Sequence, residues 1–134
     1  MTDEQRMVTD FHHTFQIRIA SAPVLPDSDT GALRVRLIQE EFDELRQALD
    51  HKDLVGIAKE LADLLYVVYG TAVSCGIDLE PVFREVHRSN MSKVNGHKRS
   101  DGKWVKPPDY SPARIQPILD LQRTALKRTE ETKR

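Results

Sequence analysis

The side chains best suited to chemistry are four carboxylates carried by two helical stretches, Glu41 and Glu44 in residues 37–48 and Glu60 and Asp63 in residues 60–69. At about 100° per residue, Leu37, Ile38, Leu45 and Ala48 define one apolar face. Glu41 falls in the middle of that face and Glu44 at its edge, while Asp43 points the other way. The second stretch is apolar almost all round. A helix of that kind is expected to be buried, which would set Glu60 and Asp63, one turn apart, among core side chains. Carboxylates gathered in a core repel one another and lose hydration unless something positive sits among them. Hard divalent cations take oxygen ligands, and Mg²⁺ in particular binds carboxylates together with substrate phosphates. The expected chemistry is therefore metal-dependent and acts on a phosphorylated substrate.

The elements around these stretches decide whether the carboxylates can meet. Residues 50–53 form a short turn, and Asp53 is a candidate N-cap for the second helix. So short a connection favours an antiparallel pair, which sets Glu41 and Glu44 against Glu60 and Asp63 as a four-ligand cage for one to three cations. Upstream, Met7, Val8, Phe11, Phe15 and Ile19 recur at helical spacing and predict a helix over about residues 3–20. His12 and His13, adjacent on it, point about 100° apart and cannot chelate one ion together. Two prolines and a polar run break the pattern over 21–31. Phe11 and Phe15 with this loop either wall a base pocket or are plain core.

Downstream, Gly76 suits a left-handed helix end and Asp78 can cap the next helix. That helix is predicted to run to about residue 94, with Asn90 and Lys93 sharing a side near its end. Residues 92–112 break the helical pattern. Asn95-Gly96 and Asp101-Gly102 are turn pairs, the stretch holds Lys93, Lys98, Arg99, Lys103 and Lys106, and residues 107–112 are extended. Trp104 reads as a packing anchor in this loop rather than a lid. A last helix follows from Ala113, with Ile115, Ile118, Leu119 and Leu126 on one face, and residues 127–134 are a charged run expected to fray.

A chain of 134 residues is one domain's worth: a core over 4–94, a basic loop over 95–112, and a helix and tail over 113–134. The formal net charge of −1 gives no global case for nucleic acid, and the basic residues lack an interleaved aromatic platform. The single cysteine, Cys75, permits no intrachain disulfide and fits a cytoplasmic setting. No stretch reads as a signal peptide or a membrane span.

The block Glu40-Glu41-x-x-Glu44, followed by Glu60-Leu61-Ala62-Asp63 and the apolar run to Gly70, resembles the all-α NTP pyrophosphohydrolases, the MazG-like superfamily. That group also holds dimeric dUTPases and phosphoribosyl-ATP pyrophosphohydrolases. The resemblance continues through Val86-His87-Arg88-Ser89-Asn90-Met91-Ser92-Lys93 and Asp101-Gly102-Lys103 to Pro107-Pro108-Asp109-Tyr110, and is nearest in kind to small bacterial MazG-like proteins with dUTPase-like activity. It implies an all-α bundle of four to five helices and dependence on Mg²⁺, with Mn²⁺ as a substitute. It also implies hydrolysis of a nucleoside triphosphate such as dUTP to the monophosphate and pyrophosphate. Glu41, Glu44, Glu60 and Asp63 match the metal ligands. Glu40 or Glu41 would position or deprotonate the attacking water, and Asn90, Lys93 and Lys103 match positions near the substrate. A homodimer or dimer of dimers is implied as well. The alternatives are a phosphoribosyl-ATP pyrophosphohydrolase and a helical module that senses nucleotide or metal without turnover.

Overall fold

The computed structural model describes residues 1–132, with the side chains of residues 1–125. The apolar periodicities become five helices: α1 (Asp3–Thr14), α2 (Ser28–Asp50), α3 (Leu54–Ser74), α4 (Leu79–Met91) and α5 (Gln116–Thr132). The expected all-α class holds. Among the described residues the only strands are β1 (His97–Lys98) and β2 (Trp104–Val105), an antiparallel pair with His97 opposite Val105 and Lys98 opposite Trp104. The expected packing of Leu126 concerns a side chain outside the described ones; the expected fraying of 127–134 is corrected over 127–132, where α5 continues as helix to Thr132, and residues 133–134 lie outside the described residues.

Four helices begin on a side-chain cap. Thr2, Asp27, Asp53 and Asp78 each accept a hydrogen bond from a backbone N–H of the first turn they precede, a device that contributes about 1 kcal/mol at each helix start. The first helix is shorter than its apolar spacing predicts. It stops at Thr14, and Gln16 takes a left-handed φ of 55°. The chain then runs back along the end of α3, where the Ala20 N–H meets the Val73 carbonyl at 3.1 Å and the Val24 N–H meets the Cys75 carbonyl at 2.9 Å. Ile19 therefore packs from a loop.

Helices α2 and α3 form the antiparallel hairpin that the short 51–53 turn dictates, and α1 lies across α3. Val8, Ala72 and Val73 are buried there with Gly70 and Ser74. The expectation that α3 is buried on all sides is corrected. Only its C-terminal third is enclosed, while Leu54, Val55, Leu61 and Leu65 stay exposed. The physical reason is coverage: α1 and α2 occupy two sides of α3, and α4 departs at 114° to it instead of folding back over the bare face. Gly76 makes that departure possible, since its φ is 67° and a Cβ there would meet the Ala22 carbonyl oxygen at 2.2 Å.

Helix α4 ends at Met91, one turn before its expected limit. The β1–β2 hairpin follows, and residues 107–112 then return along α4 as a strap; it is not extended throughout as expected, since residues 108–109 form a turn that the Tyr110 N–H closes on the Pro107 carbonyl at 3.1 Å. Arg88 donates to the Ser111 hydroxyl and the Pro112 carbonyl, both at 3.0 Å, and the Ser111 N–H donates to Ser92 Oγ at 2.8 Å. Among the described residues, no single helix is long and apolar enough to cross a membrane.

Candidate active site

The seam between α2 and α3 gathers three of the four expected carboxylates. Glu41, Glu60 and Asp63 each offer one oxygen within 4.8 Å of the others. Glu41 comes from the inward face of α2, and Glu60 and Asp63 are stacked one turn apart on α3 (the i, i+3 neighbours of a helix). The fourth, Glu44, lies one turn beyond Glu41, is exposed, and stands outside the three-residue cluster. It remains near enough to act on Glu41 through space. Glu40 is exposed on the flank of the same helix.

Burial and repulsion act together on Glu41. Loss of hydration, and then the charges of Asp63, Glu44 and Glu60, raise its pKa above the usual carboxylate range. Glu41 Oε2 and Glu60 Oε2 are both buried with no hydrogen-bond donor. Buried acceptors left in this state are uncommon and costly. Two inward oxygens without donors, beside a third carboxylate, are the donor set a hard cation requires, so the residues present fit one.

A cation is already in place from the protein itself, and the sequence reading missed it. The Lys59 ammonium donates to Glu60 Oε1 at 3.0 Å and to Asp63 Oδ2 at 2.7 Å, and those bonds raise its pKa. Its side chain is 63% exposed while that of Glu60 is 12% exposed, so the ammonium closes the cluster from the solvent side. The Lys59-x-x-x-Asp63 spacing was the available signal.

A second missed residue is Arg34, two turns before Glu41 on the same face of α2. It is buried, and it donates to the Val67 carbonyl at 3.0 Å and to Thr71 Oγ1 at 3.3 Å on α3. It has no carboxylate partner among the described residues. Buried His12 stands beside it, with Nδ1 bonded to the Arg18 carbonyl at 2.9 Å. His12 is thus an interior packing group, away from the acidic cluster. On the outer side, Phe11 packs on Phe15 and edge-on to Tyr66, with centroids 4.4 and 5.6 Å apart, but all three remain partly exposed.

The expected substrate residues occupy another part of the chain. Lys93 Nζ donates to Asn90 Oδ1 at 2.6 Å, and the pair lines a cavity of about 350 Å³ with Met91, Val94 and Trp104. The Trp104 indole N–H donates to the Lys93 carbonyl, the anchoring role expected of it. Lys103 sits in the turn of the hairpin, exposed, and the lysine that comes to Lys93's side is Lys106 instead. Both ammoniums lie over the ring of Tyr110, 5.7 and 4.6 Å from its centroid. This group stands at the end of α4, past a 114° bend of the chain after α3, and Glu60 lies about 21 Å of helix before that bend.

One family model, described as phosphoribosyl-ATP pyrophosphohydrolase, matches residues 8–90. It spans the helices that carry the three carboxylates and stops before Lys93. No curated protein matches the chain significantly.

Proposed function

We propose, from the premise that the chain belongs to the phosphoribosyl-ATP pyrophosphohydrolase family, that it hydrolyses phosphoribosyl-ATP at the α–β phosphoanhydride, releasing pyrophosphate. The family lies within the MazG-like all-α NTP pyrophosphohydrolase superfamily, and the chain is a pyrophosphohydrolase acting on a nucleotide. The observation that carries the chemistry is the pair of buried, donorless oxygens on Glu41 and Glu60, within reach of Asp63. These three residues, with Glu44 at the margin, would hold Mg²⁺ or Mn²⁺. Such an ion, once bound, neutralises charge on the phosphoryl oxygens and makes a water more acidic. Glu40, exposed beside the cluster, is the group we assign to orient or deprotonate the attacking water. Lys93 and Asn90 would hold phosphate oxygens not bound to metal.

A second reading, a nucleoside triphosphate such as dUTP as substrate, rests on a different observation. The family match stops at residue 90, so the basic hairpin and strap at 95–112 lie outside the part of the chain that points to phosphoribosyl-ATP. A panel of phosphoribosyl-ATP, dUTP and the other deoxynucleotides, with product identification, separates the two. Orthophosphate as product, or no turnover of any nucleotide, would remove both.

We further propose a homodimer or dimer of dimers in the cytoplasm. Leu54, Val55, Leu65 and Phe83 are each more than half exposed on the protomer, and α4 stands apart from the rest of the bundle. A second copy would cover these side chains and bring its own Asn90 and Lys93 to the carboxylates. The mass in solution, read by light scattering, tests this.

A further inference from the structure

The strap that follows the hairpin carries Tyr110, a residue the reaction above does not use. Lys106 Nζ lies over its ring at 4.6 Å from the centroid and Lys93 Nζ at 5.7 Å. Its hydroxyl accepts from Ser89 Oγ of α4 at 3.2 Å. Aromatic rings attract ammonium groups through their negative faces, and this ring gathers two. The two ammoniums are no farther than about 10 Å apart, close to the screening length of physiological salt, so they repel. No carboxylate pairs with either lysine among the described residues, although eleven ion pairs are formed elsewhere.

The arrangement is held rather than loose. Pro107 is buried, Asn95 Nδ2 donates to Asp109 Oδ2 at 2.9 Å, and Ser92, Ser111 and Arg88 tie the strap to α4. A fixed pair of uncompensated ammoniums beside the Asn90 amide is complementary to a compact polyanion with several strong acceptor oxygens. We propose that Tyr110 is a positioning residue that holds Lys93 and Lys106 together as a two-ammonium site for the pyrophosphate part of the substrate and product. The identity of the anion rests on the pyrophosphohydrolase reading; the site itself rests on the geometry.

Trp104, the single tryptophan, lines the same cavity as Lys93 and reports on it by fluorescence. Inorganic pyrophosphate is titrated into the full chain in buffer containing a chelator, with potassium sulfate at equal ionic strength as control. Wild type should give a saturable change that sulfate does not reproduce. Lys106→Gln and Tyr110→Leu should each weaken pyrophosphate binding by about tenfold, the scale of one charge-assisted hydrogen bond. Tyr110→Phe, which keeps the ring, should stay within about threefold of wild type. In turnover, Lys106→Gln and Tyr110→Leu should raise KM more than they lower kcat. An equal response to sulfate overturns the site, and so does unchanged affinity in Lys106→Gln. Pyrophosphate binding that depends on Lys106, with no nucleotide turned over, keeps the site and removes the enzyme. Turnover with KM unmoved in both variants does the reverse.

Discussion

Glu41 and Glu60 face each other across the α2–α3 seam, each with its Oε2 buried and without a donor. A fold that merely needed two glutamates there would supply donors or let the side chains reach water. Lys59 satisfies Glu60 from the other oxygen and reaches Asp63, but it does not bond Glu41. The seam therefore sets three carboxylates against one ammonium, and the first tests follow from that deficit of positive charge.

Glu41→Gln should separate stability from function. The folded pKa of Glu41 is raised, chiefly by burial and then by Asp63, Glu44 and Glu60. The folded state therefore holds a proton that the unfolded chain has released, and stability contributed by this group falls as pH rises through that window. In metal-free buffer at neutral pH the glutamine variant should melt higher, by roughly 3–5 °C if the relief is about 1 kcal/mol. The gain should vanish once the pH drops below the ordinary glutamate range. Turnover should fall by at least about a hundredfold, the lower end for loss of one electrostatic group at a reacting centre.

Divalent metal should stabilise the wild type by mass action. At about 100 times its Kd, Mg²⁺ or Mn²⁺ adds about 2.7 kcal/mol, which calorimetry reads as a rise in Tm that a chelator reverses. Glu60→Gln and Asp63→Asn should lose most of that rise. Glu44→Gln, outside the cluster, should keep much of it, and an equal loss in all three would place Glu44 among the ligands.

Much of this arrangement was legible in the chain because it is local. The turn at 51–53 fixes α2 against α3, the caps at Asp53 and Asp78 mark where helices begin, and Glu41, Glu60 and Asp63 share inward faces through simple periodicity. Glu44 is exposed outside the three-residue cluster, a difference from Glu41 that the boundary of an apolar face does not encode, since it does not say how far a neighbouring helix covers it. Lys59 went unread, although its i, i+4 relation to Asp63 was there in the sequence. Lys106 and Tyr110 were not legible as a pair with Lys93. Their meeting depends on a hairpin and a strap whose path is set by hydrogen bonds from Ser89, Ser92 and Arg88, which no periodicity encodes.

Gly70→Ala should be far more harmful than its size suggests. A Cβ there would stand 2.1 Å from Arg34 Nη2 and 3.1 Å from His12 Nε2. Arg34 cannot yield freely, because its guanidinium holds the Val67 carbonyl and the Thr71 hydroxyl. Overpacking of this kind costs about 1–3 kcal/mol, read as a lower denaturant midpoint. If Arg34 is the obstacle, the penalty of Gly70→Ala should shrink in an Arg34→Met background, whereas additive losses would assign the strain elsewhere.

His12 should make the fold sensitive to mild acid. Burial first, and then the charges of Arg34 and His13, hold its pKa below the ordinary 6.5, against the opposing bond to the Arg18 carbonyl. In that bond Nδ1 donates to the carbonyl, and it is burial that disfavours a second proton on the folded ring. As pH falls below 6.5 the unfolded chain takes up a proton that the folded chain refuses, so this contribution is complete above that value and is lost beneath it, with a slope of at most about 1.4 kcal/mol per pH unit. His12→Gln retains a donor for the Arg18 carbonyl and should flatten urea stability between about pH 7.5 and about pH 5.5. Glu41 acts with the opposite sign as pH falls, since protonation relieves its burial. The acid loss should therefore be steeper in Glu41→Gln than in wild type, and an unchanged profile in His12→Gln would show that the buried imidazole is not its source.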